Sequence, residues 1–142
     1  MSTSLVCVDA SIVVQLVTGG THVAPIIDLW KGWHQAEALL VAPALLYYEV
    51  NNALRRYVVY GELLPDEAAQ ALEAALGLNI ALYGDAALHR QALNLAERLS
   101  LPAAYDAHYL ALSEKLNAEF WTADRRLVQV VQPALPWVHL VG

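Results

Sequence analysis

Four acidic residues are the most chemically suggestive feature of the sequence: Asp9, Glu49, Asp106 and Asp124. Asp9 and Asp124 follow short apolar runs, and Glu49 and Asp106 lie near the starts of predicted helices. If the fold gathers these carboxylates, their mutual repulsion must be offset. A hard divalent cation does this, because it prefers oxygen ligands and often needs only one or two direct carboxylates beside its waters. Such a site can activate a water molecule for attack on phosphorus.

Each acid also has an ordinary structural explanation, which the sequence leaves open. Asp9 and Asp124 can each cap the helix that follows them by accepting a backbone N–H of its first turn. Asp106 can be stabilised by the dipole of its own helix. Glu49 can form an ion pair with Arg56 on the same predicted helix.

The spacing of apolar residues predicts the elements that position these acids. Short buried strands are predicted over 5–8, 39–42, 79–83, 119–122 and 136–141. Helices are predicted between them, over about 10–17, 25–38, 44–60, 64–78, 86–99, 101–117 and 123–131. This alternation is typical of an α/β fold in which helices flank both faces of a parallel sheet of four to five strands, here in a single domain over residues 1–142. Ligands of such sheets bind beyond the carboxyl ends of the strands, where Asp9 and Asp124 are expected.

Composition limits the classes of function. The net charge is −6, which does not suit a protein that binds nucleic acid through a broad basic surface. Four of the eight basic residues nevertheless form the pairs Arg55–Arg56 and Arg125–Arg126, each close to an acid, so we expect local phosphate contacts there. One cysteine, Cys7, and the lack of a long apolar run or signal-like start favour a cytoplasmic protein without membrane contact.

Signatures of other chemistries are missing from the sequence. There is no glycine-rich phosphate loop and no G-x-S-x-G nucleophile motif. The five histidines lack the spacing of zinc ligands. A phosphoaspartate enzyme would also place an aspartate after the first strand, but it normally needs a lysine near the site, and neither Lys31 nor Lys115 follows a strand.

The order and surroundings of the four acids resemble the PIN-domain family, in particular the VapC-type toxin ribonucleases of toxin–antitoxin pairs. The resemblance rests on the segments VCVDASIVV, PALLYYEVNNALRR, YDAHYLAL and FWTADRRL, and the last two are the most specific. It implies a Rossmann-like sheet, an Mg²⁺- or Mn²⁺-dependent endoribonuclease, a homodimer and a cognate antitoxin. It also implies that the four acids form a catalytic and metal-binding cluster, supported by Ser11, Asn52 and Thr122.

Two other functions stay open at this point. The chain can be a PIN nuclease that acts in RNA processing or on DNA, or an inactive PIN domain that serves as a binding module. Trp30 and Trp33 lie one helical turn apart and predict either a contact with the sheet or a groove for the antitoxin.

Overall fold

A parallel five-stranded sheet forms the centre of the computed structural model, which describes residues 4–21 and 23–141. The strands are β1 (Leu5–Val8), β2 (Leu39–Pro43), β3 (Ala81–Tyr83), β4 (Glu119–Thr122) and β5 (Val138–Leu140). They lie in the order β3-β2-β1-β4-β5, and each neighbouring pair is parallel. The chain therefore proceeds outward from β1 in one direction and returns to β1's other side with β4. This reversal of strand order leaves a crevice at the carboxyl ends of β1 and β4.

Helices cover this sheet in the described part of the chain. They are α1 (Ala10–Thr18), α2 (Val23–Gln35), α3 (Leu45–Val59), α4 (Pro65–Leu76), α5 (Ala86–Arg98), α6 (Tyr105–Leu116) and α7 (Arg125–Val131). Helix α6 packs against β1, β2 and β4, with α5 beside it, whereas α1 packs against α2, α3 and α4. The predicted α/β class and parallel sheet are confirmed.

Several predicted boundaries differ from the observed ones, and local backbone geometry explains three of these differences. Helix α6 begins at Tyr105 rather than at residue 101, because residues 100 and 101 still close the preceding helix: Ser100 has φ 54° and the Leu101 N–H bonds to the Ala96 carbonyl. Strand β3 begins at 81 rather than at 79, because Asn79 has φ 60°, which no strand residue adopts.

Helix α2 spans 23–35 instead of 25–38 for a similar reason. Glu37 has φ 55°, and the Ala38 N–H bonds to the carbonyl of Trp33 at 2.9 Å, which closes the last turn. The tight turn at the end of α1 is made by Gly19, whose φ of 66° is available to glycine at little cost.

The central strand is buried on both faces. Val6, Cys7 and Val8 are all in the core, which explains why β1 reads as a continuous apolar run rather than an alternating one. Trp30 and Trp33 are half-buried and pack against this core. They also line a second cavity, of about 400 Å³. That one of them lines a groove for an antitoxin stays a prediction.

Within the described residues, no single helix is both long and apolar enough to cross a membrane. Helices α1 and α2 meet that length and composition only when they are taken together across the bend between them.

Candidate active site

The crevice at the carboxyl ends of β1 and β4 receives two of the predicted acids. Asp9 directly follows β1, and Asp124 lies two residues beyond the end of β4. Because β1 and β4 are adjacent and parallel, their ends meet at the same edge of the sheet. The prediction that these two acids converge therefore follows from strand order.

The Asp9 carboxylate is held by hydrogen bonds on both oxygens. Its Oδ1 accepts from the Ser11 hydroxyl at 2.5 Å and from the Ile12 N–H at 3.4 Å, and its Oδ2 accepts from the Thr122 hydroxyl at 2.5 Å. Asp9 is thus the N-cap of α1, as its ordinary explanation requires. It is also tied to β4 through Thr122, which a cap alone does not need.

The two hydroxyls that hold Asp9 are themselves fixed by the backbone after β4. Ser11 Oγ accepts from the Ala123 N–H, and Thr122 Oγ1 accepts from the Asp124 N–H, both at 3.0 Å. The hydroxyl oxygens lie 3.4 Å apart. This network joins the ends of β1 and β4 and fixes the position of one carboxylate in the crevice.

Burial makes Asp9 reluctant to ionise. The side chain is 7% exposed, and this burial raises its pKa to about 6, with repulsion from Asp106 as a smaller contribution in the same direction. The hydrogen bonds from Ser11, Thr122 and Ile12 act in the opposite direction and limit the rise. A bound cation is the kind of partner that would return the pKa to its ordinary range.

Glu49 is held by a residue that the sequence did not single out. Helix α3 presents Glu49, and its Oε1 accepts a 2.5 Å hydrogen bond from the hydroxyl of the buried Tyr109 on α6. Burial raises the pKa of Glu49, the Tyr109 bond lowers it, and Asp106 raises it again. The pairing of Glu49 with Arg56, its ordinary alternative explanation, is not among the ion pairs of the described residues.

Asp106 lies at the electrostatic centre of the four acids. It contributes to the raised pKa of both Asp9 and Glu49, while its own pKa is raised by partial burial and then by Asp124. Asp106 is in the first turn of α6 but is not its N-cap, a position held by Ala104. Asp124 does act as a cap, because its Oδ1 accepts from the N–H groups of Arg126 and Leu127 at 3.0 and 3.2 Å.

One cavity of about 690 Å³ brings all four acids together. Ser11 and Asn52 also line it, and Arg56 is the only lysine or arginine among its lining residues in the described chain. Thr122 is fully buried behind the cavity, where it contacts Asp9. The lining of this cavity is the following: Asp9, Ala10, Ser11, Val14, Gln15, Leu45, Tyr48, Glu49, Asn52, Ala53, Arg56, Tyr57, Tyr105, Asp106, Tyr109 and Asp124.

The predicted arginines divide into two groups. Arg56 borders the cavity, whereas Arg55, Arg125 and Arg126 are exposed side chains that do not line it. Arg125 and Arg126 are the first two residues of α7 and directly follow the Asp124 cap.

The donor chemistry of the cavity fits a hydrated hard cation, but the spacing does not form a closed coordination shell. No three acidic, histidine or cysteine side chains of residues 4–21 and 23–141 come close enough to hold a metal ion directly. The four acids therefore share a cavity without forming the tight cluster that the sequence predicted. Hydrogen bonds hold three of the acids in place. Asp9 accepts from two hydroxyls and from an N–H of α1, Asp124 accepts from N–H groups of α7, and Glu49 accepts from Tyr109. Mg²⁺ suits such a site, because it keeps several waters and needs few direct carboxylates.

Sequence reasoning missed several aromatic and polar residues of the cavity. Tyr48 directly precedes Glu49 and Tyr105 directly precedes Asp106, so the repeated pattern of a tyrosine before an acid was the available signal. Tyr109 lies one turn after Asp106, on the inward face of α6. Gln15 carried no such signal; its buried Oε1 has no hydrogen-bond partner within the described residues.

Comparison with known proteins agrees with this fold. The PIN domain family model matches residues 6–132, and the chain therefore belongs to the PIN-domain family. Among its relatives, ribonuclease VapC1 of Mycobacterium tuberculosis is 34% identical over 131 residues, which are 91% of this chain and 91% of that protein. The resemblance to VapC-type ribonucleases that the motifs suggested is thereby confirmed.

Solved structures share the same fold. A protein from Pyrobaculum aerophilum superposes with a TM-score of 0.67 and 25% identity, covering 92% of this chain and 87% of that one. The toxin–antitoxin complex from Klebsiella pneumoniae contains a chain with a TM-score of 0.68 and 15% identity, covering 96% of both chains. These likenesses support the arrangement of strands and helices described above.

Proposed function

We propose that this protein is a metal-dependent endoribonuclease and the toxin of a toxin–antitoxin pair. The observation that carries the proposal is the convergence of Asp9, Glu49, Asp106 and Asp124 on one cavity at the β1–β4 crevice, in a chain that is 34% identical to a VapC ribonuclease. The reaction is hydrolysis of an RNA phosphodiester bond, and the four acids are its catalytic and metal-binding residues.

The chain's own residues prepare this cavity for a cation and a phosphate. Ser11 and Thr122 hold Asp9 with both oxygens aligned at the crevice. Tyr109 orients Glu49 from the other side, and burial raises the pKa of Tyr109, so that its hydroxyl stays a hydrogen-bond donor. Asn52 and Arg56 lie on the α3 side of the cavity, where an amide and a guanidinium can bind phosphate oxygens.

The cation supplies what these side chains lack. When bound, Mg²⁺ or Mn²⁺ lowers the pKa of a coordinated water and offsets the charge that develops at phosphorus. Asp9, Glu49, Asp106 and Asp124 are the residues we assign to hold it, directly or through its water ligands, because all four line the cavity.

A cognate antitoxin and a homodimer complete the proposal. The Klebsiella pneumoniae chain of the same fold was solved in a toxin–antitoxin complex, which supports a protein partner here. The proposed location is the cytoplasm, where both RNA and a protein antitoxin are available.

Sequencing the ends of cleaved RNA tests the reaction type. Purified protein is incubated with total RNA and Mg²⁺, and the new ends are mapped. Attack by an activated water that breaks the P–O3′ bond leaves a 5′-phosphate on one fragment and a 3′-hydroxyl, which takes up the proton, on the other. Ends that carry a 2′,3′-cyclic phosphate would instead mean that the ribose hydroxyl attacks, and the proposed chemistry would be wrong.

A PIN nuclease acting in RNA processing or on DNA is the alternative that the same cavity permits. Parallel incubation with single-stranded DNA distinguishes the DNA alternative. An inactive binding module is disfavoured, because a module that only binds gains nothing from holding four carboxylates around one cavity.

A further inference from the structure

Two tyrosines at the cavity are exposed in a way that the core does not explain. Tyr48 on α3 is 76% exposed and Tyr105 on α6 is 64% exposed, yet both line the cavity that contains the acids. Each directly precedes an acid of that cavity, Glu49 or Asp106. The two rings therefore come from different helices and border the same site.

Two other tyrosines of the chain have evident structural roles. The Tyr47 hydroxyl donates to the Ala75 carbonyl at 2.8 Å, and the Tyr109 hydroxyl donates to Glu49. Tyr48 and Tyr105 have no hydrogen-bond partner in the described part of the chain, and their rings are largely open to solvent. Their placement beside the acids is thus not explained by packing or by capping.

Charge alone does not explain how this cavity would hold a polyanion. The chain has a net charge of −6, and Arg56 is the one basic lining residue against four acids among the residues described. Most nonspecific affinity for nucleic acid comes from basic side chains on phosphates, which are scarce here. Base stacking on aromatic rings provides affinity that does not depend on charge and tolerates any base sequence.

We propose that Tyr48 and Tyr105 are substrate-positioning residues on which unpaired RNA bases stack, one on the α3 side and one on the α6 side of the acids. The inference rests on the proposed ribonuclease function and adds to it the form of the substrate: an unpaired strand whose bases are free to leave the helical stack. A paired strand cannot present its bases to the two rings without unstacking, so duplex RNA of the same sequence binds more weakly.

The test uses RNA binding with matched variants of the full chain. A short fluorescein-labelled single-stranded RNA is titrated with protein in Ca²⁺, and anisotropy gives Kd at several salt concentrations. Tyr48→Ala and Tyr105→Ala should each raise Kd about fivefold or more, as loss of one stacked base does. Tyr48→Phe and Tyr105→Phe keep the ring and should bind as the wild type does. Tyr60→Ala is the control, because Tyr60 is 74% exposed on the same chain but does not line the cavity.

The salt dependence separates stacking from phosphate contacts. Removing a ring should leave the slope of log K against log salt unchanged, whereas Arg56→Ala should make that slope shallower by about 0.7, the contribution of one phosphate contact on a single strand. If either tyrosine had only a structural role, its variants would not show all three results together: loss of RNA binding with alanine, retained binding with phenylalanine, and an unchanged salt slope.

The possible outcomes are distinct. Four results would each overturn the stacking inference. The alanine variants could bind like the wild type, or the phenylalanine variants could lose binding as the alanine variants do. The wild type could bind duplex RNA as tightly as single strands, or bind no RNA. A wild type that binds single strands through both rings but cleaves none in Mg²⁺ would support the inference and contradict the proposed function. Alanine variants that bind RNA as the wild type does and still cleave it in Mg²⁺ would contradict the stacking inference and support the proposed function.

Discussion

At the scale of single residues, Asp9 combines a structural role with the proposed chemical one. It caps α1 through Ile12, and it joins β1 to β4 through the hydroxyls of Ser11 and Thr122. The cap that the sequence offered as the ordinary explanation of Asp9 is therefore present, and the same side chain lines the cavity where its chemical role is proposed. The consequence is a carboxylate that is rigidly held and poorly solvated, a combination that favours a cation without requiring one for folding.

The raised pKa of Asp9 predicts how stability depends on pH. Because the native pKa is about 6 and the ordinary value is 3.8, the metal-free native state holds a proton between these values that the unfolded chain has released. The stability from this site is therefore fully present below the ordinary pKa and is lost as pH rises through about 6. Asp9→Asn removes the ionisation, and at pH 8 it should raise the free energy of unfolding by up to about 3 kcal/mol in EDTA.

Urea unfolding of both proteins at pH 5 and pH 8 measures this effect. The difference between Asp9→Asn and wild type should grow from pH 5 to pH 8. The amide oxygen of the substituted side chain can still accept the bonds from Ser11 and Ile12, but the amide nitrogen cannot accept the bond from Thr122. The expected rise in the free energy of unfolding is therefore an upper value. If the difference does not change with pH, Asp9 does not ionise as its burial indicates.

At the scale of elements, the helix N-termini distinguish caps from site residues. Asp124 caps α7 and Asp85 caps α5, where Asp85 accepts the Leu88 N–H at 2.8 Å. Asp106 also lies in the first turn of its helix, but it makes no capping hydrogen bond there. Asp85 lies outside the cavity, so it is a natural control for a cap without a cation.

We predict opposite responses for Asp106 and Asp85 in thermal melts. Asp106→Asn should leave the melting temperature in EDTA unchanged or raise it, because Asp106 repels Asp9 and Glu49, and it should reduce the rise caused by Mn²⁺. Asp85→Ala should lower the melting temperature by the same amount with and without Mn²⁺, as loss of a cap does.

Asp124→Ala should show both effects at once, a lower melting temperature and a reduced response to Mn²⁺, since Asp124 caps α7 and lines the cavity. A destabilised Asp106→Asn that keeps the full Mn²⁺ response would remove Asp106 from the proposed site.

At the scale of the whole molecule, the sequence predicted the architecture better than the details of the site. Alternating apolar strands and helices determine a parallel sheet, and the ends of parallel strands place Asp9 and Asp124 at one edge regardless of their side-chain conformations. Asp106 and Glu49 reach the same cavity because α6 lies over β1 and α3 follows β2.

Contacts between distant segments were the part that the sequence could not provide. The bond from Tyr109 to Glu49 joins residues 60 positions apart, and nothing in the spacing of either helix specifies it. Helical neighbourhood offered a pairing of Glu49 with Arg56 as the ordinary alternative, but a buried hydroxyl on another helix holds the carboxylate instead. The tight acidic cluster was overestimated for a related reason, because Asp9, Glu49 and Asp124 each also have a hydrogen-bonding role of their own.

The rate of RNA cleavage by wild type and Asp9→Asn tests the central claim most directly. Purified proteins are compared on one labelled single-stranded RNA in Mg²⁺ and in EDTA, with Asp85→Asn, which retains an acceptor for its cap bond, as the control. We predict cleavage by wild type and Asp85→Asn in Mg²⁺ only, and none by folded Asp9→Asn, because the amide keeps the shape of Asp9 but loses the charge that a cation needs. Cleavage by Asp9→Asn at the wild-type rate, or equal cleavage by the wild type in EDTA, would contradict a metal-dependent site built on these four acids.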